Sequence, residues 1–143
     1  MNGGFNRGFR ASPVGEWRGA TDHRSMATIL IIDDHPSFRA QARAVLVAEG
    51  FTVIGEAVDG RSGLEAARAL QPDLVLLDLG LPDLGGFDVA AELALRDNPP
   101  LVVLTSSREA GEYGPRVAAS PAVGFIAKDE LSGAAIRALV GEA

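Results

Sequence analysis

The chain is 143 residues long, enough for one domain with little to spare, and its 47% hydrophobic and 22% charged residues are ordinary for a soluble globular protein. Acids outnumber bases 19 to 13, giving a net charge of −6, which argues against a free-standing nucleic-acid binder with a basic face. There are no cysteines, so disulfides, thiolate metal sites and cysteine nucleophiles are excluded, and of the 13 basic residues only Lys128 is a lysine.

Residues 1–25 are rich in Gly and Arg and show no apolar period; Phe5, Phe9 and Trp17 stand alone. Four arginines against Glu16 and Asp22 give this stretch a charge of +2, leaving −8 for the remainder. The expectation is a disordered tail, or an upstream extension ahead of a start at Met26, with the folded domain over 26–143. No secretory core is present, and no run of about 18 apolar residues that would span a membrane.

From Ala27 the texture alternates. Thr28–Ile32 is a short apolar run ending in Asp33-Asp34. Pro36 opens a helical stretch to about Glu49, with Phe38, Ala42, Val45 and Leu46 on one face and Gly50 as its stop. Thr52–Ala57 reads as a second strand and Arg61–Leu70 as a helix with Leu64, Ala67 and Ala69 apolar. Asp73–Asp78 is a third strand, followed by a loop and a helix over Phe87–Arg96. Leu101–Thr105 and Val123–Ala127 complete five strands, and Leu131–Val140 closes as a helix. Between the last two strands, Gly111, Gly114 and Pro115 interrupt the pattern over 107–120. A short or mobile segment is expected there, with Pro115 as the first residue of a helix running to Ser120.

Strands apolar on both faces, separated by single helical crossovers, mean a parallel sheet covered on both sides. Five such units fit in 118 residues (143 minus 25), whereas an eightfold barrel needs about twice that. The fold class is therefore α/β, a doubly wound (βα)5 three-layer sandwich. Its sites belong at the carboxyl ends of the strands.

Those ends carry Asp33 and Asp34, Asp78, Thr105 and Lys128. Three carboxylates in one pocket cannot all stay ionised unaided, and a hard divalent cation relieves them; an all-oxygen site with no His or Cys favours Mg2+. A lysine and a threonine hydroxyl beside it complete a receptor for a phosphoryl group. Asp78, on the central strand and flanked by carboxylates, is the candidate nucleophile, giving an acyl phosphate. Each residue alone has a plainer reading: Asp34 as a helix cap, Thr105 as a turn residue, Lys128 as a solvated lysine. Their coincidence at the required strand ends decides against those.

From about Met26 onward the chain resembles the receiver domain of bacterial two-component response regulators. The resemblance rests on Ile31-Ile32-Asp33-Asp34-His35-Pro36, Leu76-Leu77-Asp78-Leu79-Gly80-Leu81-Pro82, Leu104-Thr105-Ser106 and Gly124-Phe125-Ile126-Ala127-Lys128. The Asp-Asp-His-Pro opening and the Lys128-Asp129 pair look like the LuxR/NarL-type subfamily, whose members usually carry a helix-turn-helix output domain. The resemblance implies the flavodoxin-like strand order 2-1-3-4-5. It also implies phosphorylation of Asp78 by a histidine kinase or phosphotransfer protein. Mg2+ would be held by Asp34, Asp78 and the backbone carbonyl of Gly80, with Asp33 acting through water. Thr105 and Lys128 would bind phosphoryl oxygens, and Thr105 with Phe125 would form the switch that remodels a protein-binding face.

This chain departs from many receivers in Asp129, where a proline often follows the lysine, in Phe125, which has no hydroxyl, and in the small residues Gly80 and Ser107. The sequence stops at Ala143 after the fifth helix, so the expectation is a stand-alone cytoplasmic receiver. It would act on a downstream protein or as a homodimer, with no direct contact to nucleic acid or membrane. Its only chemistry would be self-catalysed phosphoryl transfer and autodephosphorylation. Two alternatives remain: a pseudo-receiver that binds partners without phosphorylation, and an aspartate-nucleophile phosphatase. The second would need Asp-x-Asp on the first strand, which is absent.

Overall fold

The structure, a computed structural model, describes residues 27–107 and 113–141. The tail over 1–25 and residues 108–112 of the Gly-rich segment lie outside the described residues. Five parallel strands form one sheet in the order 2-1-3-4-5. They are β1 (Thr28–Ile32), β2 (Thr52–Ala57), β3 (Leu74–Asp78), β4 (Leu101–Ser106) and β5 (Gly124–Ala127). The helices are α1 (Pro36–Ala48), α2 (Gly60–Leu70), α3 (Gly86–Ala94), α4 (Pro115–Ala119) and α5 (Gly133–Val140).

Period-two alternation divides the core in two. Ile29, Ile31, Leu74, Leu76 and Val103 point to the face covered by Phe38, Ala42 and Leu46 of α1 and Ile136 and Val140 of α5. Leu30, Ile32, Val75, Leu77 and Leu104 point to the face covered by Ala67 of α2 and Val89, Ala90 and Leu93 of α3. All ten strand residues are at most 1% exposed, which explains why these strands read as unbroken apolar runs.

Local chemistry moves several boundaries from their expected places. Asp73 is not in β3: its carboxylate accepts from the Thr28 N–H at 2.9 Å and hydroxyl at 3.1 Å, closing the start of β1 onto β3. The α2 face toward the sheet is Gly60, Gly63 and Ala67, while Ala69 is exposed, a correction to the expected apolar stripe. A Cβ on Gly63 would sit 2.6 Å from Ile32, so glycine is what brings this helix close. Asp59 and Ser62 form a capping box ahead of α2. Asp83, beyond β3, accepts from the N–H groups of Gly60 at 2.7 Å and Arg61 at 2.9 Å. At the other end, Lys128–Glu130 form a 3-10 turn, and Ser132 caps α5, which therefore starts at Gly133 and not Leu131. Helix α4 is the short element expected, with Pro115 in its first turn, where a missing N–H costs nothing.

Candidate functional site

Strand order brings the ends of β1, β3, β4 and β5 to one edge. Asp78 and Thr105 are direct register partners on β3 and β4. Asp33 continues the line of β1, its N–H bonded to Ala57 O at 3.0 Å. Asp33, Asp78 and Thr105 are 1%, 2% and 1% exposed, while Asp34 is half-buried. A turn follows in which Asp33 Oδ1 accepts the His35 backbone N–H at 2.8 Å and contacts His35 Nδ1 at 3.1 Å. Arg39 of α1 braces this corner by donating to Asp33 O at 2.8 Å while pairing with Glu56 at 3.1 Å. Glu56 also meets Arg43 at 2.6 Å. Arg43 and Arg39 together hold the Glu56 carboxyl below its ordinary range, against a smaller desolvation effect.

Lys128 enters from the end of β5. Its ammonium lies 2.7 Å from Asp33 Oδ2, 3.7 Å from Asp78 Oδ2 and 3.3 Å from His35 Nδ1. The Phe38 ring lies beneath it, 4.7 Å from its centroid. One cation therefore faces the Asp33 and Asp78 carboxylates, with the Asp34 carboxylate close by. Burial pushes the Asp78 carboxyl up; the Asp33 and Asp34 charges push the same way, and the Gly80 N–H and Lys128 oppose them. Asp78 Oδ1 accepts that Gly80 N–H at 3.1 Å, and Oδ2 accepts nothing.

Among the described residues, four buried side-chain oxygens have no hydrogen-bond partner: Asp33 Oδ2, Asp34 Oδ1, Asp78 Oδ2 and Thr105 Oγ. All four belong to this pocket. The Lys128 contact to Asp33 Oδ2 is an ion pair outside hydrogen-bond geometry, so it offsets charge without satisfying that oxygen. Orphaned buried oxygens are rare, and a cluster of them calls for an ion or ligand. Ligand atoms of Asp33, Asp34, His35 and Asp78 lie within 4.8 Å of one another.

The sequence pattern of the response regulator receiver domain matches residues 29–140. The chain belongs to that family. This receiver is 36% identical over 104 residues to the nitrate/nitrite response regulator NarL of Escherichia coli, covering 72% of this chain and 48% of the relative. It is 41% identical over 102 residues to the transcription regulator BvgA of Bordetella pertussis, covering 71% of this chain and 49% of the relative. The chain thus spans about half the length of these curated relatives. Among solved structures it resembles the signal receiver domain of a NarL response regulator from Mycobacterium tuberculosis, with a TM-score of 0.74, 32% identity, and coverage of 82% and 99% of the two chains. It also resembles a LuxR-family two-component response regulator from Aurantimonas, with a TM-score of 0.72, 26% identity, and coverage of 82% and 88%.

The receiver fold gathers Asp33, Asp34, Asp78, Gly80, Thr105 and Lys128 at one edge. Phe125 sits apart, partly buried against the Tyr113 ring at 5.9 Å, and Phe87 of α3 also packs on that ring, at 6.0 Å. Arg116 of α4 lies over Phe87, 4.4 Å from the ring centroid. Sequence reasoning missed His35 and Phe38 as pocket residues and Tyr113 as the neighbour of Phe125. His35 lies inside the Asp-Asp-His-Pro motif; Tyr113 lies in an irregular segment with no spacing signal. Among the described residues there is no cis peptide bond and no helix long and apolar enough to cross a membrane.

Proposed function

We propose that this domain takes a phosphoryl group onto Asp78 as the acceptor in a cytoplasmic two-component phosphorelay. The donor would be the phosphohistidine of a histidine kinase or phosphotransfer protein. The observation that carries the reading is the set of four orphaned buried oxygens beside a single, partly buried ammonium. In transfer, Asp78 Oδ2 forms the new bond to phosphorus, the donor's P–N bond breaks, and the electron pair leaves with the donor imidazole. Asp78 Oδ1 stays on the Gly80 N–H, which leaves Oδ2 as the open oxygen. Lys128 and Thr105 then take phosphoryl oxygens, which supplies Thr105 Oγ with its missing partner.

The hard oxygen donors fit Mg2+: Asp34, Asp78 and the Gly80 carbonyl would hold it, with Asp33 acting through water. When bound, the ion offsets the negative charge that gathers around the phosphoryl oxygens. Drawing Thr105 toward Asp78 opens space beside β4 into which Phe125 can turn. The surface of α4, β5 and α5 would then change its packing and its affinity for a downstream protein or a second receiver. Residues 26–143 form the receiver in this reading, and 1–25 an extension.

Incubation with acetyl phosphate, with and without Mg2+, tests this by intact mass. The expected result is a gain of one phosphoryl group that requires Mg2+ and is lost in Asp78→Asn. No gain, or a gain that survives Asp78→Asn, would overturn it in favour of a module that binds without phosphorylation.

A further inference from the structure

We propose that Asp83 is a positioning residue for phosphoryl transfer to Asp78: by pinning the loop between β3 and α3 to the start of α2, it sets which Asp78 oxygen stands open. The inference rests on the reading that Asp78 accepts the phosphoryl group, and concerns what aims that carboxylate.

The loop leaves β3 at Leu79 and reaches α3 at Gly86. At its near end the Leu79 N–H donates to Thr105 O at 2.9 Å and the Gly80 N–H to Asp78 Oδ1 at 3.1 Å. The second bond leaves Oδ2 as the open oxygen, so the place where the loop holds Gly80 decides how the carboxylate stands. Three residues further on, Asp83 turns out of the loop. Its Oδ1 accepts the Gly60 N–H at 2.7 Å and its Oδ2 the Arg61 N–H at 2.9 Å. Oδ1 also accepts the Leu84 N–H at 2.8 Å. One carboxylate thus joins two segments 22 and 23 residues apart along the chain. Its negative charge suits the positive end of α2. Desolvation works to raise the Asp83 carboxyl, but the N–H groups of Arg61, Gly60 and Leu84 outweigh it and hold it below its ordinary range.

Packing is the second observation. Leu84, next to Asp83, lies directly against the buried Gly60, where a Cβ would stand 2.8 Å from Leu84 Cβ and 3.1 Å from Val89 Cγ2. The loop therefore seats on α2 only at a residue without a side chain, and Asp83 is the polar tie beside that seat. The same turn of α2 has its own local cap. Asp59 Oδ1 accepts the Ser62 N–H at 2.8 Å and Asp59 O the Gly63 N–H at 2.9 Å. Asp59 and Asp83 thus divide the first-turn donors between them, and only Asp83 belongs to the loop. That division separates capping a helix from aiming Asp78.

The acetyl phosphate reaction at saturating Mg2+, with donor concentration varied, tests this on wild type, Asp83→Ala, Asp83→Asn and Asp59→Ala, each first checked for a cooperative melt. Misplacing a reacting group by about 1 Å costs up to about a hundredfold, so Asp83→Ala should lower the maximal rate about tenfold. The half-saturating donor concentration should stay within about twofold, because Thr105 and Lys128, the proposed holders of phosphoryl oxygens, lie outside this loop. Asp83→Asn keeps one acceptor oxygen and should fall between wild type and Asp83→Ala. Asp59→Ala weakens the same helix end but should phosphorylate at the wild-type rate. Amide exchange at Gly80 should quicken in Asp83→Ala and not in Asp59→Ala. A wild-type rate in Asp83→Ala, or equal slowing in Asp83→Ala and Asp59→Ala, would overturn the assignment while Asp78 stands as phosphoacceptor. A wild type that gains no phosphoryl group would remove that reading and this inference together.

Discussion

The hydroxyls of Tyr113 and Ser106 lie 2.7 Å apart, a hydrogen bond that ties the turn ahead of α4 to the last residue of β4. Ser106 directly follows Thr105, and the Tyr113 ring packs against Phe125. Phe125 has no hydroxyl with which to anchor itself. Here the aromatic that carries a hydroxyl comes from the segment preceding α4, and it rests on the aromatic that would turn. Movement of Thr105 toward Asp78 would pull on Ser106, and through it on Tyr113.

Removing that hydroxyl should loosen α4 without disturbing the core. Tyr113→Phe keeps both ring contacts and loses one hydrogen bond, worth about 1 kcal/mol. Amide exchange over residues 115–119 should quicken while exchange in β1 and β3 stays as in wild type. Unchanged exchange over 115–119 would show that the ring contacts alone hold the helix.

Gly86→Ala should reach the phosphoacceptor from outside the pocket. A Cβ at Gly86 would stand 2.7 Å from Asp78 O and 2.8 Å from Leu79 Cα, backbone atoms that cannot swing aside. The start of α3 must then lift from the end of β3. A loss of about 1–3 kcal/mol is expected, in line with other overpacking changes. Phosphorylation should slow as Asp78 shifts. Chemical denaturation and the acetyl phosphate reaction read the two effects. A fully stable, normally phosphorylated variant would contradict this account of the close approach.

Enlarging Gly80 should lengthen the life of the acyl phosphate. A Cβ there would meet only Asp78 Oδ1 and Oδ2, at 3.8 and 3.9 Å, which is ordinary contact. The backbone at Gly80 needs no positive φ. Gly80→Leu would therefore place an apolar side chain near Asp78 and limit the approach of water. Dephosphorylation followed by intact mass should slow several-fold; an unchanged rate would mean that access does not limit hydrolysis.

Stability should depend on pH through Asp78. Its carboxyl is raised above its ordinary range, first by burial and then by Asp33 and Asp34, so the folded state binds more protons than the unfolded chain between the two pKa values. Its contribution is full below the unfolded pKa and is lost as pH rises through the folded one. In metal-free protein the melting temperature should fall as pH climbs above the ordinary carboxylate range. Asp78→Asn should flatten that fall and melt higher than wild type at neutral pH, and added Mg2+ should narrow the gap. A metal-free Asp78→Asn protein that melts lower than wild type at neutral pH would contradict this balance.

Most of this was legible in the sequence for one physical reason. A strand buried on both faces is an uninterrupted apolar run, so β1, β3 and β4 announce themselves, and a parallel sheet turns each run's last residue into a position on one edge. Asp33, Asp78, Thr105 and Lys128 became neighbours by that rule alone. Where side-chain direction is not set by a period, the sequence was silent. Glycine has no hydropathic signature, so the sheet-facing role of Gly63 leaves no mark in the sequence, while Ala69, apolar by type, is exposed. Asp73 looks like a strand opener until its carboxylate is seen on Thr28. His35 and Tyr113 lie in turns, and nothing in their spacing indicates that one ring leans toward the pocket and the other over Phe125.

The lone lysine gives the most demanding test. Lys128 threads a space bounded by Asp33 Oδ2 at 2.7 Å, His35 Nδ1 at 3.3 Å, Asp78 Oδ2 at 3.7 Å and the Phe38 ring at 4.7 Å. The side chain is 13% exposed, so there is little room for a larger head group. An ammonium is a compact charge that donates in three directions; a guanidinium is flat, wider and holds its donors in a fixed fork. Lys128→Arg keeps the charge in a chain whose other basic residues are all arginine, so composition predicts tolerance. The pocket predicts the opposite. The planar group must displace Phe38 or withdraw toward solvent, and either move takes the cation from Asp78. The expected outcome is a folded protein whose phosphorylation by acetyl phosphate with Mg2+ is slower than wild type. Its phosphorylated form should no longer change amide exchange over α4 and β5. Normal phosphorylation together with a normal exchange response would show that the pocket needs a positive charge and not this one's shape.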